Sequence, residues 1–234
     1  MKQAPEFDSF AGSYQADLER ALSASGESQD YFARARVTWV TKLLQETEFA
    51  PHSVLDYGCG IGGTASLWRE IPGVEAVTGV DPSRQSLEVA RVRHGRPGVR
   101  FLTIEEYEPS ASVDLAYCNG VFHHIPLAEQ ERAAGYVFDS LRPCGVFAFW
   151  ENNPWNPGAR WVMSRCAFDR DAVLLSPPEA ANLLRSVGFE IVCTNFLFIF
   201  PKGLAFLRFL EPSLSGVPFG AQYLVLGRKP VSAS

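Results

Sequence analysis

The stretch VLDYGCGIGG (residues 54–63) decides the fold, because a short apolar strand runs there into a glycine turn and the start of a helix. Glycines let the backbone turn tightly and approach a ligand closely, with the N-terminus of the next helix facing that ligand. Two spacings fit. Gly58, Gly60 and Gly63 form the G-x-G-x-x-G of dinucleotide loops, whereas Gly58, Gly60 and Gly62 form the G-x-G-x-G of loops that bind S-adenosylmethionine (SAM).

Asp56 distinguishes between the two possible cofactors. It lies two residues before Gly58, where its carboxylate would repel a pyrophosphate but attract the ammonium and sulfonium groups of SAM. Asp81 ends the next strand, VTGVD, at a distance of about 20 residues that suits a hydrogen bond to ribose hydroxyls in either cofactor. The charge therefore favours SAM. A nicotinamide oxidoreductase is the remaining alternative, disfavoured by Asp56 and by the lack of a Tyr-x-x-x-Lys pair.

Strands and helices alternate on both sides of this loop, which predicts an α/β fold with a parallel sheet. Segments such as VFAFW are apolar on both faces, as a sheet covered by helices on both sides requires. The predicted strands are EAVTGVD, VRFLTI, SVDLAYCN and GVFAFWEN, followed by FEIVCTNFLFIF and AQYLVLGRK. The last two are expected to pair across a long insertion.

Length and composition limit the classes of function. A chain of 234 residues with 47% hydrophobic and 20% charged residues suits one domain with a lid. The net charge of −5 argues against a nucleic-acid substrate. The most basic stretch, residues 84–100, has its arginines mixed among the apolar positions of an amphipathic helix, which indicates a solvated helix face.

Cysteines and histidines give no sign of a metal site. The five cysteines are scattered, odd in number and without a C-x-x-C pair, and no acidic set completes a metal-ligand spacing around the four histidines. We expect a cytoplasmic protein with reduced thiols. The first residues lack the apolar core of a signal peptide. The most hydrophobic segment is interrupted by Pro201, Lys202, Gly203 and Arg208, so no membrane span is predicted.

The combination VLDYGCGIGG, VTGVDPS, SVDLAYCNGVFHHI and LRPCGVFAF resembles the class I (Rossmann-like) SAM-dependent methyltransferases, small-molecule branch, over about residues 53–149. One departure is Cys144, where the family pattern usually has a glycine. The resemblance implies a three-layer, doubly wound sheet of seven strands in the order 3-2-1-4-5-7-6, with strand 7 antiparallel, N-terminal helices and a lid insertion between the last two strands.

The expected organisation is one SAM-dependent methyltransferase domain over residues 1–234. Residues 1–50 form an N-terminal helical cover and residues 51–150 the SAM-binding core. Residues 151–234 supply an acceptor loop, the last helix and the terminal strand pair with its lid insertion.

The resemblance also assigns cofactor contacts. Gly58, Gly60 and Gly62 would line the amino-acid and ribose parts of SAM, Asp56 would organise its amino end, and Asp81 would grip the ribose. Further along the chain, Glu105 matches an acid that faces the adenine amine, with an exposed loop carboxylate as the alternative, and Asn119 matches a residue bordering the methionine part. On the N-terminal helices, Arg36 resembles an arginine that pairs with the SAM carboxylate, with Tyr31 and Tyr14 closing over it, and a solvated helix arginine is the alternative.

Two adjacent histidines follow the fourth strand, on the side where the methyl group of SAM should point. Either His124 or His123 could take a proton from a hydroxyl or an amine, since an imidazole titrates near neutral pH. The alternative is a histidine that caps or packs the loop.

The stretch after the fifth strand is too irregular for a simple crossover, so its start is interpreted as an acceptor-binding loop. Trp155 and Trp161 would form an apolar wall, while Asn152, Asn153 and Arg160 orient polar groups. A loop that only covers the sheet is the alternative. The aromatic insertion from residue 196 onward suits a hydrophobic acceptor, but a homodimer contact or a peripheral membrane contact stays open, so the chain is expected to be a monomer or a homodimer.

These patterns predict transfer of a methyl group from SAM to an oxygen or nitrogen of a small hydrophobic or aromatic molecule, with a slight preference for oxygen. A protein substrate, a lipid-linked substrate and a non-catalytic SAM-binding partner subunit are the alternatives. A nucleic-acid enzyme is disfavoured further because the fourth strand leads into CNGVF and not into an N-P-P-Y-type motif.

Overall fold

The computed structural model describes residues 26–165 and 172–231. Tyr14 and the helix predicted around it lie outside these ranges. The strands are β1 Ser53–Tyr57, β2 Ala76–Asp81, β3 Val99–Thr103, β4 Val113–Asn119, β5 Leu141–Asn152, β6 Glu190–Leu197 and β7 Gln222–Arg228. The α-helices are α1 Gln29–Glu46, α2 Gly63–Trp68, α3 Arg84–His94, α4 Leu127–Ser140, α5 Pro157–Met163, α6 Pro177–Ser186 and α7 Glu211–Leu214.

The seven strands form one sheet in the order β3-β2-β1-β4-β5-β7-β6. The pairs among β1 to β5 are parallel, whereas β7 runs antiparallel to both β5 and β6. This confirms the predicted strand order and the reversed last strand. The reversal brings Gln222, the first residue of β7, opposite Asn152, the last residue of β5.

Helices cover both faces of the sheet, as the doubly apolar strands predict. On one face Val40 of α1, Trp68 of α2 and Leu87 of α3 are buried in one cluster with apolar residues of β1 to β4. On the other face Val137 of α4 and Leu184 of α6 pack on Phe147 and its neighbours. Burial of such side chains stabilises the fold by roughly 1.5–3 kcal/mol each relative to exposure. The three layers leave the carboxyl ends of the parallel strands at one edge, where ligands bind in folds of this kind.

The insertion between the last two strands is present where the sequence predicts it. It contains a 3₁₀ helix, Lys202–Leu210, followed directly by α7. Phe206 and Phe209 are 71% and 75% exposed, so the outer side of this insertion is apolar. In the described part of the chain no helix combines the length and the hydrophobicity needed to cross a bilayer.

Candidate active site

A cleft of about 910 Å³ opens at the carboxyl ends of β1, β4 and β5, a volume typical of small-molecule sites. Its floor includes Asp56, Asn119 and Gln222, and its walls come from α1, the loop after β5 and the insertion before β7. A smaller cavity of about 430 Å³ lies against β1 to β3 near Arg100 and holds none of the predicted site residues. The larger cleft is therefore the candidate active site.

Asp56 is the most unusual group in the cleft. Its carboxylate is buried on the cleft floor, and Oδ2 has no hydrogen-bond partner within residues 26–165 and 172–231. The pKa of this carboxyl is raised to about 7, chiefly by burial and in addition by the nearby Asp81, while Arg36 opposes the change. A buried acceptor without a partner costs free energy, and a bound ammonium group would supply both the missing donor and the missing charge. This site therefore fits the amino end of SAM.

The three glycines of the loop have different roles. All three adopt left-handed backbone angles, with φ of +71° at Gly58, +51° at Gly60 and +81° at Gly62. Gly58 and Gly60 lie on the cleft wall, and a Cβ on Gly60 would meet no described atom within 4 Å. Gly62 does not lie on the wall, contrary to expectation. A Cβ there would come within 2.7 Å of the Phe101 ring, so this glycine lets α2 and the sheet pack closely.

Two predicted cofactor contacts lie off the cleft wall. Asp81 is 8% exposed and holds the glycine loop, with Oδ2 accepting the Gly60 N–H at 2.9 Å and Oδ1 accepting the Ser83 N–H at 2.9 Å. A carboxylate oxygen has more than one lone pair, so a ribose contact stays a prediction. Glu105 is exposed after β3 and lies outside the wall. This placement matches the alternative of an exposed loop carboxylate.

Arg36 is buried in the cleft wall at the centre of a polar network. Its Nε donates to the Tyr117 hydroxyl at 2.9 Å, and Nη1 donates to Gln222 Oε1 at 2.9 Å. Gln222 Nε2 in turn donates to Asn152 Oδ1 at 3.0 Å and to Asn119 Oδ1 at 3.3 Å. The network thus ties α1 to β4, β5 and β7. Gln222 was missed in the sequence, because a glutamine that opens a terminal strand carries no local signal.

Tyr31 also lines the cleft, one turn before Arg36 on α1. The Arg208 guanidinium lies 4.7 Å from the centre of the Tyr31 ring, and it pairs with Glu27 at 2.9 Å. The insertion before β7 is therefore fastened to the start of α1 across the cleft opening.

The two histidines differ in their surroundings, although both line the cleft. His123 Nδ1 lies 2.5 Å from Glu151 Oε2, and both side chains are almost fully buried. The ring of His124 lies 4.1 Å from that of His123, centroid to centroid. Glu151 was missed in the sequence, although FWEN carries a signal that Asp56 and Asp81 share: an acid at the end of a buried strand.

The predicted acceptor residues divide into two groups. Asn152 and Trp161 line the cleft, but Asn153, Trp155 and Arg160 do not. Asn153 is fully buried and its amide donates to the carbonyls of residues 218 and 220, so it braces the loop. Trp155 is exposed and stacks on Phe196, and Arg160 is exposed and not part of the wall.

The acceptor part of the wall is mostly apolar. Besides Trp161 it includes apolar residues from the loop after β5 and from the aromatic insertion, together with one amide side chain: Asn156, Val162, Met163, Ile199, Phe200 and Pro201. Among the described residues, no three histidine, cysteine, aspartate or glutamate side chains come close enough to hold a metal ion.

Comparison with known proteins agrees with this geometry. Residues 54–145 match the family model described as a methyltransferase domain. Trans-aconitate 2-methyltransferase of Rhodopseudomonas palustris (strain BisB18) is 35% identical over 122 residues, which cover 50% of this chain and 45% of that protein. Phthiotriol/phenolphthiotriol dimycocerosates methyltransferase of Mycobacterium tuberculosis (strain ATCC 25177 / H37Ra) is 26% identical over 144 residues, or 58% and 50% of the two chains. The chain thus spans half or less of the length of these relatives.

Solved structures show the same fold. The structure described as a SAM-dependent methyltransferase, possible histamine N-methyltransferase, from Thermotoga maritima superposes with a TM-score of 0.66 at 22% identity. The match covers 95% of this chain and 97% of the other. The strand order, the glycine loop and the family match over residues 54–145 agree: this part of the chain is similar to the methyltransferase-domain family, and the fold is that of the class I, Rossmann-like SAM-dependent methyltransferases.

Proposed function

We propose that this chain transfers a methyl group from SAM to an oxygen or nitrogen of a small hydrophobic or aromatic molecule. The observation that carries the proposal is the buried Asp56 Oδ2, which has no hydrogen-bond partner among the described residues, beside Gly58 and Gly60 on the cleft wall. A buried carboxylate with an unsatisfied oxygen lowers the stability of the fold. This cost is offset where a cationic ligand binds the carboxylate.

In this proposal the chain mainly binds SAM and the acceptor and aligns the two for transfer. Asp56 accepts the ammonium group, and the buried Arg36 guanidinium, held in place by Tyr117 and Gln222, pairs with the carboxylate of the same amino-acid moiety. When bound, SAM supplies a methyl group already activated by its sulfonium. The chain then has to hold the acceptor in line with that group, a positioning effect for which effective molarities reach about 10⁵–10⁸ M.

The apolar acceptor wall supports a hydrophobic acceptor. Two arginines of the cleft wall are already paired with acids, Arg34 with Asp30 at 2.8 Å and Arg208 with Glu27 at 2.9 Å. A polyanion such as trans-aconitate would need further cations to balance its charge, so these pairs favour an uncharged acceptor over the substrate in that relative's name. The mycobacterial relative's name contains an alcohol, which accords with our preference for oxygen.

Calorimetric titration with S-adenosylhomocysteine tests the proposal, with NADH as the competing ligand. The chain should bind S-adenosylhomocysteine and not NADH. Asp56→Asn should weaken that binding by roughly 10- to 100-fold, because a hydrogen bond to a charged group contributes about 1.5–3 kcal/mol. Glu108→Gln, an exposed acid away from the cleft, is the control. Binding of NADH alone would reject the proposal, whereas binding without methyl transfer to any acceptor would favour a non-catalytic partner subunit.

A lipid-linked acceptor is the second candidate, favoured by the exposed Phe206 and Phe209 on the insertion that lines the cleft. Sedimentation with phosphatidylcholine vesicles at low salt should then carry the chain down, and the double variant Phe206→Ser, Phe209→Ser should stay in solution. No sedimentation of the unmodified chain would remove this candidate and leave the small free acceptor.

A further inference from the structure

Three amide side chains meet on the cleft wall at the ends of three neighbouring strands. Asn119 ends β4, Asn152 ends β5 and Gln222 begins β7, and all three line the cleft. The Gln222 Nε2 atom donates to Asn152 Oδ1 at 3.0 Å and to Asn119 Oδ1 at 3.3 Å. Because both oxygens lie within hydrogen-bond distance of one nitrogen, the two asparagine side chains are neighbours.

Arg36 fixes the orientation of all three amides. A guanidinium only donates hydrogen bonds, so the Gln222 atom that lies 2.9 Å from Arg36 Nη1 is the amide oxygen. The Gln222 nitrogen then faces the two asparagines. Since this nitrogen only donates, each asparagine turns its oxygen toward it. The NH₂ groups of Asn119 and Asn152 are therefore the groups left to bind something else.

These two NH₂ groups have no partner in the described part of the chain. Within residues 26–165 and 172–231, no atom accepts a hydrogen bond from the side-chain nitrogen of Asn119 or Asn152. Neither nitrogen belongs to the buried atoms that lack a partner, so both reach solvent. The cleft thus presents two adjacent hydrogen-bond donors whose own oxygens are already engaged by Gln222.

A carbonyl oxygen matches this pair of donors. It accepts two hydrogen bonds and donates none, so no part of it is left without a partner. A hydroxyl at the same place would also need an acceptor for its proton, and Gln222 already occupies both asparagine oxygens.

The surroundings of the pair favour a neutral carbonyl over a carboxylate. The backbone N–H of Asn152 donates to Glu151 Oε2 at 3.3 Å, so an acid lies next to this asparagine. Burial raises the pKa of Glu151, but the His123 ring and backbone amides outweigh burial and hold the pKa below its usual range. The acid is therefore charged at neutral pH, and its charge disfavours a second anion beside Asn152.

The position of the pair assigns it to the acceptor half of the cleft. Asn152 leads directly into the loop after β5, which supplies Asn156, Trp161, Val162 and Met163 to the acceptor wall. In a mostly apolar pocket, a few well-placed polar groups fix the orientation of the ligand. The two amides can therefore orient an apolar acceptor that the wall alone would hold without a defined direction.

We propose that Asn119 and Asn152 are specificity-determining residues that bind a carbonyl oxygen of the methyl acceptor, and that Gln222 orients them. This inference rests on the proposed function and gives its acceptor a chemical class. The acceptor is an uncharged, mostly apolar molecule with a carbonyl group besides the hydroxyl or amino group that receives the methyl. The carbonyl oxygen itself is not methylated, and the amides act on binding and alignment only.

Binding of two phenols to the complex with S-adenosylhomocysteine tests this inference without requiring turnover. 4-Hydroxyacetophenone has a carbonyl where 4-ethylphenol has a methylene group, and calorimetric titration gives the Kd of each. Asn152→Leu should shift the ratio of the two Kd values against 4-hydroxyacetophenone by roughly 2- to 12-fold, the net contribution of one hydrogen bond. Asn182→Leu, the same change at an exposed position on α6, should leave the ratio unchanged.

Gln222→Glu tests the orientation of the amides. An ionised carboxylate only accepts hydrogen bonds, so both asparagines should turn their NH₂ groups toward it and their oxygens toward the cleft. The ratio should then shift against 4-hydroxyacetophenone by more than it does in Asn152→Leu, because two donors are replaced by two acceptors. A merely structural role of Gln222 would weaken the binding of both phenols alike.

An unchanged ratio in either variant, or no binding of either phenol, would overturn the inference. In Asn152→Leu the Kd for S-adenosylhomocysteine should stay within about twofold, as expected for a residue that does not contact the cofactor. A larger rise would mean that the amides hold the cofactor, which would overturn their assignment to the acceptor. If the unmodified chain failed to bind S-adenosylhomocysteine, the proposed function itself would be rejected.

Discussion

The two halves of the cleft are built in different ways. In the half assigned to the cofactor, Asp56, Gly58 and Gly60 lie within one strand end and its loop. In the half assigned to the acceptor, His123 follows β4, Glu151 ends β5 and Gln222 begins β7. The first half is specified by one short, continuous motif, whereas the second depends on strands brought together by the sheet. Differences in acceptor are therefore expected to arise in the second half.

The halves also differ in how their buried carboxylates are satisfied. Asp56 has an oxygen without a partner among the described residues and a raised pKa, while Glu151 accepts bonds from a ring and three amides and has a lowered pKa. We infer from this difference that Asp56 binds a ligand, whereas Glu151 holds a side chain of the protein. Four changes, in order of decreasing effect, test this division.

The largest effect is expected from the glycines of the loop. Gly58→Ala should lower the free energy of unfolding by about 2–5 kcal/mol, since a left-handed residue with a Cβ costs about 1–2 and overpacking against Val121 about 1–3 kcal/mol. In Gly60→Ala the added Cβ lies in open space, so the free energy of unfolding should fall by only about 1–2 kcal/mol. Urea denaturation measures both. Equal losses would mean that the Val121 contact does not distinguish the two positions.

The second effect is a pH dependence caused by Asp56. Its pKa rises from 3.8 to about 7 on folding, so the folded chain holds an extra proton between these values and the free energy of unfolding falls as pH increases through this window. The slope due to this group reaches at most about 1.4 kcal/mol per pH unit. Asp56→Asn should remove it, as should saturating S-adenosylhomocysteine, whose ammonium favours the ionised carboxylate. The free energy of unfolding is measured by denaturation at pH values from 4 to 7.5. The same dependence on pH in the unmodified chain and in Asp56→Asn would contradict this account.

A third change tests the link between the halves. Gln222→Met keeps the side-chain length but removes the bonds to Arg36, Asn152 and Asn119. A typical hydrogen bond contributes about 0.5–1.5 kcal/mol, so the Kd for S-adenosylhomocysteine should rise by roughly 2- to 12-fold as Arg36 loses its support. Calorimetry measures this, and an unchanged Kd would mean that Tyr117 alone holds the arginine.

The smallest effect is expected at Glu105. Because this side chain is exposed and off the cleft wall, Glu105→Gln should change the Kd for S-adenosylhomocysteine by less than about twofold, as for most exposed surface substitutions. If the affinity of Glu105→Gln for S-adenosylhomocysteine fell tenfold or more, the adenine contact that the family resemblance implies would be supported. The adenine of the cofactor would then lie beyond β3.

The fold was predictable from the sequence to a large extent, because it rests on signals that act over a few residues. Strands apolar on both faces and the glycine turn after β1 were predicted from the residues themselves, whereas the strand order and the reversed last strand were implied by the family resemblance, and the structure has all of them. Gly62 shows the limit of such signals. The spacing identifies the glycine, but only the Phe101 ring behind it explains why a side chain is excluded.

By itself, the sequence determined the sheet, the place of the glycine loop and the charge at Asp56, since each depends on neighbouring residues and on strand order. The tertiary structure alone decided that Glu151 pairs with His123 and that Gln222 joins Arg36 to Asn152. It also decided that Asn153 braces a loop while Asn152 faces the cleft. The physical reason is that these contacts join residues far apart in the chain, whose distances are set by sheet register and helix packing.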